Sequence, residues 1–189
     1  MPRYSTSAPV LPAGNVRGVT IPPDTKDWTW VLERPCAECG YDASTVPVDA
    51  VADRLRANAD AWQPVLTRAE VATRPRRDVW SPLEYACHVR DVHELYLHRL
   101  DRMLTEDDPL YDNWDQDATA VERHYAEQDP VVVAGELEIA AGRLADRFDA
   151  VTGEAWRRRG RRSDGASFTV DTFSRYLLHD VEHHLWDVR

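Results

Sequence analysis

The sequence is poor in cysteine, in lysine and in long apolar stretches, and each scarcity excludes a class of protein. Three cysteines among 189 residues are too few, and odd in number, for a disulfide framework. No apolar run reaches the roughly 18 residues that a membrane-spanning helix needs, so we expect no membrane partner. Lys26 is the one lysine among 23 basic residues, and the formal net charge is −10. Because binding to nucleic acid needs a concentrated basic surface, we expect no nucleic-acid partner.

The remaining composition is that of a globular domain. Hydrophobic residues make up 43% and charged residues 30% of the chain, and the length suits one domain with its own core. The N-terminal stretch MPRYSTSAPVLPAGNVRG has no contiguous apolar segment, so we expect no secretory signal and a cytoplasmic location. Residues 1–26 are rich in Pro, Gly, Ser and Thr, which predicts an extended or disordered arm. We divide the chain into an irregular arm with a cysteine-bearing loop, residues 1–47, and a helical domain, residues 48–189.

Apolar residues recur at helical spacing in four segments of this domain. The second segment has the clearest start, because Ser81 is a predicted N-cap, Pro82 takes the first helical position and Glu84 completes a capping box. Thr169 is the predicted N-cap of the last segment. The connection GEAWRRRGRRSDGAS is turn-rich and is compatible with a small hairpin. The predicted helices cover approximately residues 48–67, 81–104, 118–151 with an interruption at 129–130, and 169–189.

With no convincing strand pattern, four amphipathic helices predict an all-α protein, an antiparallel four-helix bundle. Bundles commonly build metal sites from side chains on facing helices. We therefore consider the histidines of the predicted helices as candidate metal ligands.

The last helix contains HDVEHHLWDV, with three of the seven histidines of the chain. At ~100° per residue, His184 lies ~50° from the centre of the apolar stripe and Asp180 ~90° from it on the same flank. His179 and His183 lie ~150° or more away, so we expect them to face solvent or a partner subunit. Each pair has the i, i+4 spacing that puts two side chains on one helix face. We prefer Asp180 and His184 as metal ligands, and His179 with His183 is the alternative.

A third ligand must come from another helix. His88 lies ~70° from the centre of the apolar stripe of the second helix, which predicts a half-buried side chain facing the bundle. His88, Asp180 and His184 form a two-histidine, one-carboxylate set that suits Zn²⁺, Ni²⁺, Fe²⁺ or Mn²⁺. The alternatives are a hydrogen-bonded core histidine and an ordinary ion pair near a helix C-terminus.

Cys36 and Cys39 form a CxxC motif in RPCAECGYD. A tetrahedral zinc site needs two further ligands, and no second CxxC or HxxxH occurs near it in the sequence. The motif is open to a structural or vestigial role, a reversible disulfide, or a metal site with ligands borrowed from elsewhere. Cys87 lies within a helical pattern and is expected to be a small buried residue.

Two of these segments resemble signatures of the DinB/YfiT-like superfamily. WSPLEYACHVRDVHELY is similar to the second-helix signature, in which a Trp and a capping Ser or Thr with Glu precede a His. YLLHDVEHHLWDV is similar to the last-helix signature, and mycothiol-dependent maleylpyruvate isomerases share its acidic-x-x-x-His-x-x-Asp pattern at Asp180, His184 and Asp187. The resemblance covers residues 48–189 and implies an up-down-down-up bundle, often dimeric, whose divalent metal is held by His88, Asp180 and His184.

The resemblance implies an enzyme that uses a divalent metal and a low-molecular-weight thiol such as mycothiol. The expected reaction is S-transfer to, or isomerisation of, a small electrophilic substrate, with Asp187 or Asp91 orienting ligands. The alternatives are a metal-dependent hydrolase and a non-catalytic metal-binding dimer. We expect a homodimer, for which Trp186 is a candidate interface residue. The run RRRGRR is either a solvated loop or a recognition element for a carboxylated or sugar-bearing thiol.

Overall fold

The computed structural model describes residue 21 and residues 26–189 of the chain. The arm predicted for residues 1–26 lies outside the described residues, apart from Ile21 and Lys26. Within these described residues, five α-helices and three short strands follow one another, joined by loops and 3-10 turns. The helices are α1 Val51–Leu66, α2 Pro82–Thr105, α3 Gln116–Glu122, α4 Pro130–Asp149 and α5 Val170–Asp187. The strands are β1 Leu110–Tyr111, β2 Arg159–Arg162 and β3 Ser167–Thr169.

The helices begin where local capping chemistry allows them to begin. Ser81 and Glu84 form the predicted capping box at the start of α2: the Ser81 hydroxyl accepts from the Glu84 backbone N–H, and the Glu84 carboxylate accepts from Ser81. Asp129 caps α4 immediately before a proline, and Thr169 caps α5. The predicted starts of α2 and α5 are therefore confirmed. The predicted break at 129–130 is confirmed as well, since α3 ends at Glu122 and α4 begins at Pro130.

Helices α1, α2, α4 and α5 form an up-down-down-up four-helix bundle, which confirms the predicted fold class. Helices α1 and α2 each pack on α4 and α5. The long connection over residues 106–129 carries the chain back along the bundle, so that α2 and α4 run in the same direction. Each large side chain buried between the helices stabilises the fold by about 1.5–3 kcal/mol. The largest of these core residues are Trp62, Leu83, Leu100, Met103, Leu137, Leu144, Phe173 and Leu177.

A three-stranded sheet closes one end of the bundle. Strands β2 and β3 form the predicted antiparallel hairpin, and β1 adds to β2 in parallel. Strand β1 escaped prediction because two residues in an acidic connection give no alternating pattern. Gly160 in β2 lies so close to the bundle that a Cβ atom there would be 2.7 Å from Met103 Cγ.

The chain from residue 26 to residue 47 packs over α5. Val31, Cys36 and Val46 of this segment are buried. The Tyr41 hydroxyl donates a 2.7 Å hydrogen bond to the Arg175 carbonyl of α5. This segment therefore covers a second face of α5, in addition to the face that α5 turns toward the bundle. No helix of the described residues is long and apolar enough to cross a membrane.

Candidate metal centre

The structure brings together the three residues that the sequence singled out as metal ligands. His88 lies on α2, and Asp180 and His184 lie one turn apart on α5. Asp180 Oδ1 is 3.6 Å from His88 Nε2 and 3.1 Å from His184 Nε2. One donor atom from each of the three residues lies within 4.8 Å of the other two. The three side chains therefore converge on one point between α2 and α5.

The start of α2 holds His88 in place from one turn away. The Glu84 carboxylate accepts from the Ser81 backbone at 2.8 Å and from Arg74 Nε at 2.9 Å. Burial opposes the charged form of Glu84, but the hydrogen bonds from Arg74 and Ser81 outweigh it and lower its pKa. The ionised Glu84 anchors the loop before α2 to its first turn, and this fixes the rotation of α2 about its axis.

His88 is completely buried, not half-buried as its distance from the apolar stripe predicted. Its ring stacks on Trp114 at 5.2 Å and lies 5.3 Å from the ring of Trp80. Burial lowers the pKa of His88, so the imidazole is neutral. Among the described residues, neither ring nitrogen has a hydrogen-bond partner. A buried polar nitrogen without a partner is costly, and a metal ligand is the role that would satisfy it.

Asp180 and His184 carry opposite charges in this arrangement. Burial disfavours an ionised Asp180, but the hydrogen bond from His184 and the His88 imidazole 3.6 Å away outweigh burial and hold its pKa far below the usual range. Burial likewise opposes a charged His184, yet hydrogen bonds to Asp180 and Asp187 raise its pKa to about 9. The His184 Nδ1 atom is 3.0 Å from Asp187 Oδ2. A carboxylate on Nδ1 orients the ring and leaves Nε2 for a metal, as in many metal-binding histidines.

The donor set fits a divalent metal. Two imidazole nitrogens and one carboxylate oxygen are the ligands of zinc and of other first-row divalent metals. Three protein ligands leave at least one coordination position for a further ligand. Asp180 and His184 line a cavity of about 300 Å³, whose wall also includes Trp80, Tyr85, Gln116 and Tyr176.

A second cavity adjoins the first beyond Asp180. The two cavities share five lining residues, Trp28, Gln116, Asp117, Tyr176 and Asp180. The second cavity extends to Arg99 and Arg162. Arg99 is 4% exposed, burial lowers its pKa, and no carboxylate of the described residues forms an ion pair with it. The cleft therefore runs from Asp180 and His184 to a buried guanidinium that forms no ion pair with a carboxylate of the described residues.

His179 and His183 do not face solvent, so the prediction for them was wrong. Only 3% of His179 and 7% of His183 is exposed. Their rings lie 5.4 and 5.2 Å from the ring of Trp28, in the segment that packs over α5. Burial lowers the pKa of His179 to about 4, and it also lowers that of His183. Helical spacing indicates only the face of α5 that packs in the bundle, whereas the N-terminal segment buries a second face.

Other residues considered from the sequence lie elsewhere. Asp91 is engaged by Arg90 at 2.9 Å and Arg123 at 2.8 Å, so it orients no candidate ligand. Cys87 is fully buried, as predicted. Trp186 is half-buried, with its ring 5.5 Å from that of His183.

Trp114, which stacks on His88, was not predicted as a residue of the site. It lies in the acidic stretch over residues 106–117, which has no periodic apolar pattern. A lone tryptophan in a run of aspartates was the one signal that part of this connection packs against the bundle.

Fold and site together define a four-helix bundle with a two-histidine, one-carboxylate cluster between its second and last long helices. A family profile described as the DinB superfamily matches residues 51–188. The chain belongs to the DinB superfamily. No curated protein matches the sequence significantly.

Among solved structures, the chain is similar to YfiT from Bacillus subtilis, described as a probable metal-dependent hydrolase with an unusual four-helix bundle topology. The TM-score is 0.66 at 19% sequence identity, over 75% of this chain and 85% of that one. At this identity the likeness shows a common fold.

Proposed function

We propose that the protein is a divalent-metal-dependent enzyme that uses a low-molecular-weight thiol of the mycothiol type in an S-transfer or isomerisation reaction on a small electrophile. The observation that carries this proposal is the buried His88 imidazole, whose nitrogens have no hydrogen-bond partner among the described residues and which lies beside Asp180 and His184 of the cavity wall. A purely structural histidine would be expected to have a hydrogen-bond partner.

His88, Asp180 and His184 would hold the metal. When bound there, a divalent metal would lower the pKa of a thiol or water and supply a nucleophile near neutral pH. Asp187 accepts from His184 Nδ1 and keeps Nε2 directed at the cluster. The rings of Trp80 and Trp114 enclose His88 on two sides and exclude water behind it.

The shape and charge of the cleft favour two organic ligands. A thiol cofactor and an electrophile need separate spaces on either side of the nucleophile, and two adjoining cavities flank Asp180. Arg99 at the far end would pair with a carboxylate on either ligand, since its guanidinium is buried without an anionic partner among the described residues. Arg162, the last residue of the RRRGRR run, lines the same cavity.

Metal-dependent hydrolysis is the second candidate. It is favoured by the description of the structurally similar YfiT, and it requires the same three ligands with water in place of the thiol. A hydrolase would act without any added thiol.

An activity screen on metal-loaded protein tests the proposal. Protein loaded separately with Zn²⁺, Ni²⁺, Fe²⁺ or Mn²⁺ is mixed with mycothiol and a panel of small electrophiles, and both thiol and electrophile are followed. We expect mycothiol-dependent conversion of an electrophile in wild type and none in Asp180→Asn, with the exposed His98→Ala variant as a matched control. Conversion at the same rate without thiol would establish the hydrolase, and no metal uptake at His88, Asp180 and His184 would overturn both.

A further inference from the structure

Four potential metal ligands meet on the face of α5 that the N-terminal segment covers. Cys36 and Cys39 approach from the N-terminal segment, and His179 and His183 from α5. One donor atom from each residue lies within 4.8 Å of the other three. No further cysteine or histidine ligands lie near the CxxC motif in the sequence. The fold instead brings the HxxxH pair of α5 next to it.

We infer that Cys36, Cys39, His179 and His183 form a structural zinc site, separate from the site at His88, Asp180 and His184. Two thiolates and two imidazoles are a complete tetrahedral ligand set for Zn²⁺. Tetrahedral coordination at ordinary Zn–S and Zn–N bond lengths places neighbouring ligand atoms about 3.3–3.8 Å apart. The Cys36 Sγ to His183 Nδ1 distance is 3.8 Å, and all four donor atoms lie within 4.8 Å of one another, so the cluster would contract when it binds zinc.

The backbone around the cysteines has the form of a metal-binding turn. The Gly40 N–H donates to the Cys36 carbonyl at 2.9 Å, and the Cys36 N–H donates to the Tyr41 carbonyl at 2.8 Å. Gly40 has φ +79°, a left-handed conformation that a glycine adopts without strain. This tight turn brings the two cysteine side chains to one side, facing α5.

Burial of the cluster leaves one imidazole nitrogen without a partner in the described part of the chain. Cys36 is 1% exposed, and both thiols are free. His179 Nε2 is buried and has no hydrogen-bond partner within the described part of the chain. A buried imidazole nitrogen without a partner marks a position where a ligand is missing from the hydrogen-bond network.

The surroundings of His183 resemble the outer environment of a zinc-bound histidine. While Nδ1 faces Cys36, Nε2 lies 3.4 Å from Glu38 Oε2 and 3.7 Å from Asp187 Oδ1. A carboxylate on the second ring nitrogen fixes the tautomer that leaves the first nitrogen available to the metal. The ring of Trp28 covers both histidines.

Four protein ligands leave no position for substrate, so this site would hold structure together and would not catalyse. It would join the segment 26–47 to α5 on the face next to Asp180 and His184. Zinc binding would also fix Trp28, which lines the cavity in front of the first site.

Zinc and cobalt stoichiometry test the inference without reference to activity. We expect the full chain, purified under reducing conditions and loaded with Zn²⁺, to hold about one equivalent more zinc than Cys36→Ser/Cys39→Ser. Cys87→Ala, which removes the third cysteine, and His98→Ala should retain the wild-type zinc content. Equal zinc content in wild type and the double variant would overturn the inference.

A spectroscopic test on an intact cysteine pair guards against loss of folding in the double variant. In the His88→Ala background, Co²⁺ added to the reduced protein should give the charge-transfer absorption of a thiolate-bound tetrahedral ion, and added Zn²⁺ should abolish it. Absence of that absorption, or a Cys36–Cys39 disulfide that forms equally fast with and without Zn²⁺, would rule out the site.

Discussion

Helix α5 carries two ligand pairs that are offset by one residue, and the two faces they define differ in what covers them. Asp180 and His184 face His88 of α2, whereas His179 and His183 face the cysteines of the N-terminal segment, and both pairs line one cavity. One residue of offset rotates a side chain by ~100° around a helix, enough to change its environment completely. The first cluster has three ligands beside open space, which suits catalysis. The second has four ligands, enough to fill a tetrahedral coordination sphere, which suits structure.

The largest expected difference between the clusters is in catalysis. Asp180→Asn should lower kcat/KM for the thiol-dependent reaction by at least about 10³-fold, because a bound metal contributes several kcal/mol to the chemical step. Cys36→Ser/Cys39→Ser should lower it by less than about tenfold. Steady-state kinetics on zinc-loaded proteins measure both, and a reversed order would mean that the roles of the clusters are exchanged.

The second largest difference is in stability. Removal of zinc from the cysteine cluster by a chelator should lower the free energy of unfolding by at least about 3 kcal/mol, since metal that binds only the folded chain adds its binding energy to folding. The measurement is urea unfolding with and without chelator. In Cys36→Ser/Cys39→Ser the chelator should have little further effect, while in His88→Ala its full effect should persist.

His93 shows what burial does to a histidine outside both clusters. Its Nδ1 donates to the Val89 carbonyl at 2.7 Å, and burial lowers its pKa to about 4. In the unfolded chain His93 binds a proton near pH 6.5, whereas in the folded chain it stays neutral down to about pH 4. The contribution of neutral His93 to the free energy of unfolding is therefore complete above pH 6.5 and falls as the pH drops toward 4.

Once the pH has fallen below the folded-state pKa, we expect His93 to have lowered the free energy of unfolding by about 3 kcal/mol. Urea unfolding at pH 7.5 and pH 4.5 measures it. His93→Leu should lose less stability than wild type between these two pH values, and an identical loss in both proteins would show that His93 is not responsible.

Asp187 contacts a histidine of each cluster. Among the proposed substitutions, we expect its replacement to have the smallest effect. Its carboxylate is 3.0 Å from His184 Nδ1 and 3.7 Å from His183 Nε2, where Glu38 also assists. Asp187→Asn should weaken zinc binding at the open cluster about 10–100-fold, the usual effect of removing an outer carboxylate, and affect the cysteine cluster less. Competition with a chromophoric chelator separates the two affinities, and Glu38→Gln should show the opposite preference.

The sequence predicted those features that depend on local chemistry. The caps at Ser81 and Thr169 and the break before Pro130 were foreseen, because each follows from hydrogen bonds between residues a few positions apart. The approach of His88 to Asp180 and His184 was expected from helical spacing together with family resemblance. That these residues bind metal stays a prediction.

Helical spacing predicted the wrong solvent exposure for His179 and His183, because a helical wheel describes a single helix and not the segments that pack on it. The segment that buries them has irregular apolar spacing and gives no periodic signal. Strand β1 and the stacking of Trp114 on His88 were missed for the same reason, since both lie in a connection without periodicity.

By itself, the sequence determined the four long helices, their starts, and which residues share a face of each helix, since backbone hydrogen bonding and 3.6-residue periodicity act within a segment. Tertiary structure alone decided which faces are covered. It brought a CxxC motif to an HxxxH pair more than a hundred residues later, because packing of distant segments is governed by shape and burial that no local pattern records.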